Sequence, residues 1–175
     1  SQSSEAGAGG SRLQAGSGEG TDNAALIWQL GTAAGTGQTI TVRNGGSIVL
    51  QGGSSTFTNN GSLGAGHGSR ASIEAQGEWQ RIRFTHGGGL SLTGGSAGQR
   101  AWAQVYGKVN EQRIEGLAEN GSSGAGPAIS LNGGVDGGVS GEGNFATIGM
   151  DGEVNNSVAP SQVVKASSLT ITGGM

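Results

Sequence analysis

The sequence predicts an all-β protein, a Gly-rich β-solenoid or β-helix-like repeat of about 40 residues with an extended N-terminal arm. Two observations support this fold class. Apolar residues alternate with polar residues over runs of four to seven, which is the pattern of β-strands, and a two-part motif recurs along the chain. Gly and Asn-Gly dipeptides separate the runs, and both residue types favour turns because they tolerate a positive φ.

The first part of the motif reads apolar-x-apolar-x-Gly-Gly. Its copies start at Ile48, Leu90, Ile129 and Leu169, so they are spaced by 42, 39 and 40 residues (90−48, 129−90, 169−129). A nearly fixed spacing of this size indicates stacked repeats, each burying its apolar face only against its neighbours. This motif therefore predicts strands that lie side by side in the fold.

The second part of the motif is a longer strand pattern. Its copies cover residues 68–79, 98–109 and 143–154, and this alignment sets Ala71 beside Ala101 and Ala146. The pieces between repeats, at 80–84, 110–117 and 155–164, are less regular and are predicted to be connectors. Residues 109–119, which include the second of these pieces, contain helix-forming residues and are predicted to be a loop or a short helix.

The chain has 175 residues, which suits one domain with a core of its own. Residues 1–25 contain Gly, Ser, Ala and acids without a period and are predicted to be an extended arm. Such a segment has no core of its own, so we expect a neighbouring subunit to hold it. Residues 26–175 are predicted to be a single β-repeat domain, in which 26–30 form a short strand or an anchoring segment.

Other β architectures also accommodate strands at this spacing. A β-sandwich, a barrel, a propeller and an interdigitated trimeric structure remain alternatives, although a propeller with three and a fraction blades does not close. Whole-chain disorder is disfavoured because the apolar residues alternate regularly, even though 39 of the 175 residues are Gly.

Composition also narrows the classes of function. The net charge of −3 argues against a nonspecific nucleic-acid binder. No apolar run is long enough to span a membrane, and the start lacks the layout of a signal peptide. No nucleophile motif, phosphate loop, metal-ligand cluster or cofactor fingerprint is present. We therefore expect no catalysis, no cofactor, no nucleic acid and no membrane.

A basic and aromatic stretch between His67 and His86 offers the strongest candidate binding residues. Arg forks and aromatic faces suit polar, planar or carbohydrate ligands. The predicted partner- or glycan-binding residues are Trp79, Arg81, Arg83, His86, Trp102 and Tyr106. A simpler interpretation is that Arg81 and Arg83 are outward positions of a strand whose inward residues are Ile82 and Phe84, and the alternation favours it.

The strand motifs and the Asn-Gly and Gly-Gly corners over residues 38–174 resemble two groups of proteins. One group is the virion structural proteins of tailed phages, namely capsid decoration proteins, spikes and fibres. The other is the bacterial adhesins with filamentous-haemagglutinin-like repeats, to which residues 55–63 are similar.

The phage resemblance implies symmetric assembly on a capsid or tail and no catalysis. We accordingly expect a capsid decoration (cement) protein in the virion, acting as a homo-oligomer, most simply a trimer, bound to the major capsid protein or another virion protein. The alternative is a secreted or phage-tail β-helical adhesin at the cell surface that recognises glycans. A third hypothesis is a β-helical glycan hydrolase or lyase.

Overall fold

A computed structural model describes residues 2–6, 11–14, 24–31, 35–53, 70–95, 101–134, 144–152 and 159–173, with backbone only for the first two ranges. The described residues form strands joined by turns, and none of them is helical. The all-β prediction is therefore confirmed. The strands are β1 (Gln2–Ala6), β2 (Ser11–Gln14), β3 (Ala24–Leu30), β4 (Gly37–Val42), β5 (Ser47–Gln51), β6 (Arg70–Thr85), β7 (Gly89–Thr93), β8 (Trp102–Leu117), β9 (Ala128–Asn132), β10 (Ala146–Asp151), β11 (Ser161–Val164) and β12 (Ser168–Thr172).

The strands form two sheets, and the pairings between these strands are parallel. One sheet has the order β1-β4-β6-β8-β10, with β3 also paired to β6 and β11 also paired to β8. The other has the order β12-β9-β7-β5-β2. Parallel sheets bury apolar side chains in continuous columns when equivalent residues lie in register.

The long strands β6 and β8 each serve two ladders. In β6, residues 70–76 pair with β3 and residues 79–84 pair with the whole of β4. Gly77, with a φ of 139°, separates the two halves, and the inward positions change from odd numbers (Ile73) to even numbers (Ile82) across it. The first ladder is therefore β3, 70–76, 102–108 and β10; the second is β1, β4, 79–85, 111–117 and β11; the third is β2, β5, β7, β9 and β12.

The copies of the apolar-x-apolar-x-Gly-Gly motif are direct neighbours in the third ladder. Ile48 pairs with Leu90, Leu90 with Ile129, and Ile129 with Leu169. The predicted spacing thus corresponds to one step across the sheet. Stacking like on like buries a continuous apolar column, because each side chain covers the equivalent one on the next strand.

The predicted alignment of the second motif is wrong in its middle copy. Ala71 pairs with Ala103, not with Ala101, and Ala103 pairs with Ala146. A shift of two residues leaves the same faces inward, so alternation alone does not distinguish the two alignments. Ala101 instead lies before the strand, where its backbone N–H donates to Asn144 Oδ1 at 2.8 Å.

The prediction of a loop or short helix at 109–119 is also wrong, because β8 continues as a strand to Leu117. Residues 111–117 pair with residues 79–85, and 161–164 pair with 111–114. The pieces predicted as connectors therefore contribute the β6, β8 and β11 segments of the second ladder. Sheet pairing and the burial of Gln112 and Ile114 outweigh local helix propensity here.

The apolar segment at 26–30 was predicted to be a short strand or an anchoring segment. It is a strand and lies within β3. Inside the predicted arm, the backbones of β1 and β2 pair in parallel with β4 and β5 of the same chain. The division into an arm and a domain, and the holding of the arm by another subunit, stay predictions.

The core lies between the two sheets and is built from inward columns of the three ladders. Ile40, Ile82 and Ile114 form one column at exposures of 4% or less. Ile73 and Val105 contribute from the first ladder, and the Ile48 column from the third.

Candidate functional site

The predicted binding residues do not converge on one site. Trp79, Arg81 and Arg83 lie on the second ladder, whereas Trp102 and Tyr106 lie on the first. His86 follows the end of β6, at the turn into the third ladder. The structure therefore divides the predicted set over two ladders and a corner, and His67 falls outside the described residues.

The outward side of the second ladder is an ion-pair network of Arg81, Arg83, Glu111, Arg113 and Glu115. Arg81 Nε lies 2.7 Å from Glu111 Oε1, and Arg83 Nε lies 3.7 Å from Glu115 Oε1. Arg113 bridges the two acids at 3.4 Å each. In addition, the Arg81 guanidinium lies 5.2 Å from the centre of the Trp79 ring, a cation–π contact.

This network explains why the two arginines lie on the outside of the sheet. Burial raises the pKa of Glu111, but the hydrogen bond and charge of Arg81, with those of Arg113, outweigh it and hold that pKa below its usual value. The same carboxylate is the main cause that raises the pKa of Arg113. The sequence interpretation of Arg81 and Arg83 as outward strand positions is thus confirmed, and both already have carboxylate partners.

The outward side of the first ladder carries aromatic rings and acids. Trp102 stacks on Phe145 with ring centres 5.5 Å apart and an interplanar angle of 3°. The Tyr106 hydroxyl donates a hydrogen bond to Asp151 Oδ2 at 2.5 Å. At the edge of the ladder, the Trp28 side chain is 51% exposed. Aromatic faces are thus available on this ladder without a guanidinium salt bridge beside them in the described residues.

The hydrogen bond to Asp151, followed by burial and the charges of Asp151 and Glu74, raises the pKa of Tyr106 to about 12. Because Tyr106 is the single tyrosine of the chain, we expect one phenolate titration, observed by ultraviolet absorbance near that pH. The neutral form is favoured in the folded state, so this contribution to stability is full below pH 10 and is lost as the pH rises towards 12. In Asp151→Asn the transition should move towards 10, and an unchanged transition would contradict the assigned cause.

His86 lies beside an open cleft at the corner after the second ladder. Its Nε2 is 3.1 Å from Glu119 Oε1, and its backbone has a φ of 63°. The cleft has a volume of about 480 Å³ and is lined by His86, Leu117, Ala118, Glu119, Asn120, Gly124 and Ala125. The imidazole of His86 and the carboxylate of Glu119 thus face each other, and Glu119 is the single acid among the residues that line the cleft.

A buried ladder of glutamine amides runs along the inward side of the second ladder, and sequence analysis missed it. Gln80 Nε2 donates to Gln38 Oε1 at 3.1 Å, Gln112 Nε2 to Gln80 Oε1 at 2.7 Å, and Gln162 Nε2 to Gln112 Oε1 at 2.5 Å. Nε2 of Gln38, Gln80 and Gln112 also donates to a backbone carbonyl, that of Glu74, Tyr106 and Gly149 respectively. Gln38, Gln80 and Gln112 are at most 1% exposed.

A sequence signal for this ladder exists. Gln stands two positions before an inward aliphatic residue in 38–40, 80–82, 112–114 and 162–164. This signal is easily missed, because a simple polar–apolar alternation assigns every Gln to the outward face of a strand, even where the Gln is buried. In the backbone register, Gln2 of β1 lies opposite Gln38, so the same residue type recurs at one more position of this row.

Two further observations apply to the part of the chain that the structure describes. It contains no group of three or more His, Asp or Glu side chains arranged to hold a metal ion. None of its segments is a helix long and apolar enough to cross a membrane.

Comparison of the chain with known protein families, with curated proteins and with solved structures finds no match. The strands and their pairing define the class as an all-β protein of parallel strands.

Proposed function

We propose that the two sheets are the walls of a parallel β-helix with three strand segments in each turn. The segments follow one another in the same order along the chain, as in 70–76, 79–85 and β7, then 102–108, 111–117 and β9. Each segment pairs in parallel with its equivalent in the next turn. This succession is what a chain winding in one direction produces, with neighbouring turns about 4.8 Å apart.

On this scaffold we propose a non-catalytic structural role, that of a virion decoration protein acting in a symmetric oligomer. The observation that supports it most is that polar side chains of the second ladder pair with one another, as Gln112 Nε2 does with Gln80 Oε1 at 2.7 Å and Arg81 Nε with Glu111 Oε1 at 2.7 Å. The glutamine ladder and the ion-pair network use their polar groups internally, which favours a rigid support.

The proposal is tested on virions purified from the source that carries the gene. Antibodies against residues 1–175 should label the particles, and the chain should follow the shell through a density gradient in a copy number that matches the shell symmetry. Full recovery of the chain in the soluble fraction, with unlabelled particles, would contradict the decoration role. The predicted trimer is measured on the purified chain by light scattering.

The glycan-binding alternative is favoured by the aromatic side chains of the first ladder, and the purified chain tests it in parallel. If it holds, binding on a glycan array should be lost in Trp102→Ala, which removes the ring stacked on Phe145. Trp79→Ala is the matched control, because Trp79 lies on the second ladder against Arg81. A silent array, or equal loss in both variants, would count against a first-ladder site.

A further inference from the structure

The ion-pair network on the outward side of the second ladder has more positive than negative charge. It joins three arginines to two glutamates, so its net charge is +1 (3 − 2), whereas the whole chain carries −3. The side chains of Arg81, Arg83 and Arg113 are 32%, 31% and 33% exposed, and that of Glu115 is 11% exposed. The surplus charge of the network is therefore positive and accessible from the solvent.

Two of these arginines leave most of their hydrogen-bond donors without an acceptor among the described residues. A guanidinium group has five N–H donors. Arg81 donates one hydrogen bond, from Nε to Glu111 Oε1 at 2.7 Å. The Nε of Arg83 is buried without a hydrogen-bond partner, because the 3.7 Å between it and Glu115 Oε1 is too long for a hydrogen bond. A buried charged donor in this state is uncommon in folded proteins, so Arg83 has the largest unused donor capacity in the network.

The sheet fixes Arg81 and Arg83 at a spacing that suits one shared anion. They lie two positions apart on the outward side of β6, so their Cα atoms are about 6.6 Å apart. Arg81 is also held by Trp79, whose ring centre lies 5.2 Å from the guanidinium. Gly37, in register with Trp79, makes room for that ring, since a Cβ at Gly37 would collide with it. Side chains that are already held in place lose less entropy on binding.

The strand beside these arginines presents hydroxyl groups and no charge at the same register positions. Thr39 pairs with Arg81, and Thr41 pairs with Arg83. Both threonines are half-buried outward residues of β4, and a hydroxyl can donate to an anion. In the backbone register the next acid on this side is Glu5 of β1, which β4 separates from β6. The β4 side of the network is therefore neutral and able to donate hydrogen bonds.

We propose that Arg81 and Arg83, with Thr39 and Thr41 beside them, bind an oxyanion group with the charge and shape of sulfate or phosphate. The N–H groups that the carboxylates leave unused donate to its oxygens. Charge-assisted hydrogen bonds of this kind are shorter and stronger than neutral ones, and the planar fork of Arg matches phosphate-like groups. This site goes beyond the proposed decoration role and is separate from the aromatic surface of the first ladder.

The first test titrates the purified chain with sodium sulfate and with sodium phosphate at constant ionic strength, followed by NMR of the Arg Nε–H groups. Wild type should bind saturably, and Arg83→Gln should bind about tenfold more weakly or worse, because it loses charged donors. Arg70→Gln is the matched control. It removes the same charge, but Arg70 lies on the first ladder in register with Trp102, so wild-type affinity is expected. No saturable binding by wild type, or equal weakening in the two variants, would overturn the proposal.

A second variant should change the affinity in the opposite direction. Glu115→Gln keeps an oxygen that accepts from the arginines but removes a negative charge, so the network rises to +2 and the anion should bind severalfold more tightly. A network with a merely structural role would not produce this gain, and unchanged or weaker binding by a variant that circular dichroism shows to be folded would contradict the proposal.

Methyl sulfate, titrated in parallel, distinguishes two sources of the group. Binding at least as tight as that of sulfate supports an ester carried by a larger molecule, and weaker binding supports a free ion at the same site. Because the readout is purified protein in solution, unlabelled virions would contradict the decoration role without affecting this result.

Discussion

The Gln80→Met variant is expected to lose about 3 kcal/mol of unfolding free energy, because each buried polar group left without a partner costs about 1–3 kcal/mol. The Gln80 amide donates to Gln38 Oε1 and Tyr106 O, and accepts from Gln112 Nε2. Methionine has a similar length but cannot replace these bonds, and no water reaches a residue that is 0% exposed. Urea unfolding followed by circular dichroism measures the loss.

Gln104→Met is the matched control for this prediction. Gln104 lies in β8 with a single hydrogen bond in the described structure, from its Nε2 to Glu74 Oε1 at 2.9 Å, at a half-buried outward position. Solvent can replace that bond, so we expect a loss of less than about 1 kcal/mol. Equal losses in the two variants would mean that the buried ladder contributes no more than a surface hydrogen bond.

Gly88→Ala should be the second severe change, and its neighbour Gly87 provides the comparison. Both glycines have a positive φ, 79° at Gly87 and 103° at Gly88. An added Cβ at Gly87 meets nothing within 4 Å, whereas at Gly88 it lies 2.2 Å from the carbonyl oxygen of Gly46. That oxygen lies in the segment between β4 and β5 and accepts the N–H of Gly89 at 3.4 Å, so its displacement would break this hydrogen bond.

We therefore expect Gly87→Ala to cost about 1 kcal/mol, the strain of a left-handed residue with a Cβ. Gly88→Ala should cost at least 2 kcal/mol more, about the size of effects at the strained or overpacked positions of other proteins. The midpoints of thermal unfolding of the two variants measure this difference. Similar midpoints would show that the close approach of the two turns is relaxed easily and does not constrain the corner.

The third ladder was the most predictable part of the fold. Its motif has two inward aliphatic residues followed by Gly-Gly, and the chain returns to the same register position after every copy, from Ile48 to Leu169. Short strands bounded by Gly leave little choice of register. The part of the second ladder at 111–117 was not predicted, since residues 109–119 lack a Gly-Gly boundary and contain Asn, Glu and Arg that also suit helices.

The candidate surfaces were predicted as residue types but not as arrangements. Arg81 and Trp79 were singled out, and they do contact each other. The acidic partner of Arg81 is Glu111, which lies 30 positions further along the chain, in the segment predicted as a connector. A salt bridge across a parallel ladder depends on register, so it becomes visible only when the ladder is known.

The sequence by itself determined the all-β class and the inward aliphatic positions of the motif strands, because alternation with a period of 2 is a local property, and it determined the spacing of about 40 residues. The tertiary structure alone decided the pairing of Ala71 with Ala103 and the burial of the glutamine amides. It also decided that Ile171 is exposed while its counterpart Leu92 is buried. The alternation of polar and apolar residues is the same after a shift of two residues, and it is the same in a covered and in an uncovered strand. Only the contacts between strands therefore distinguish these cases.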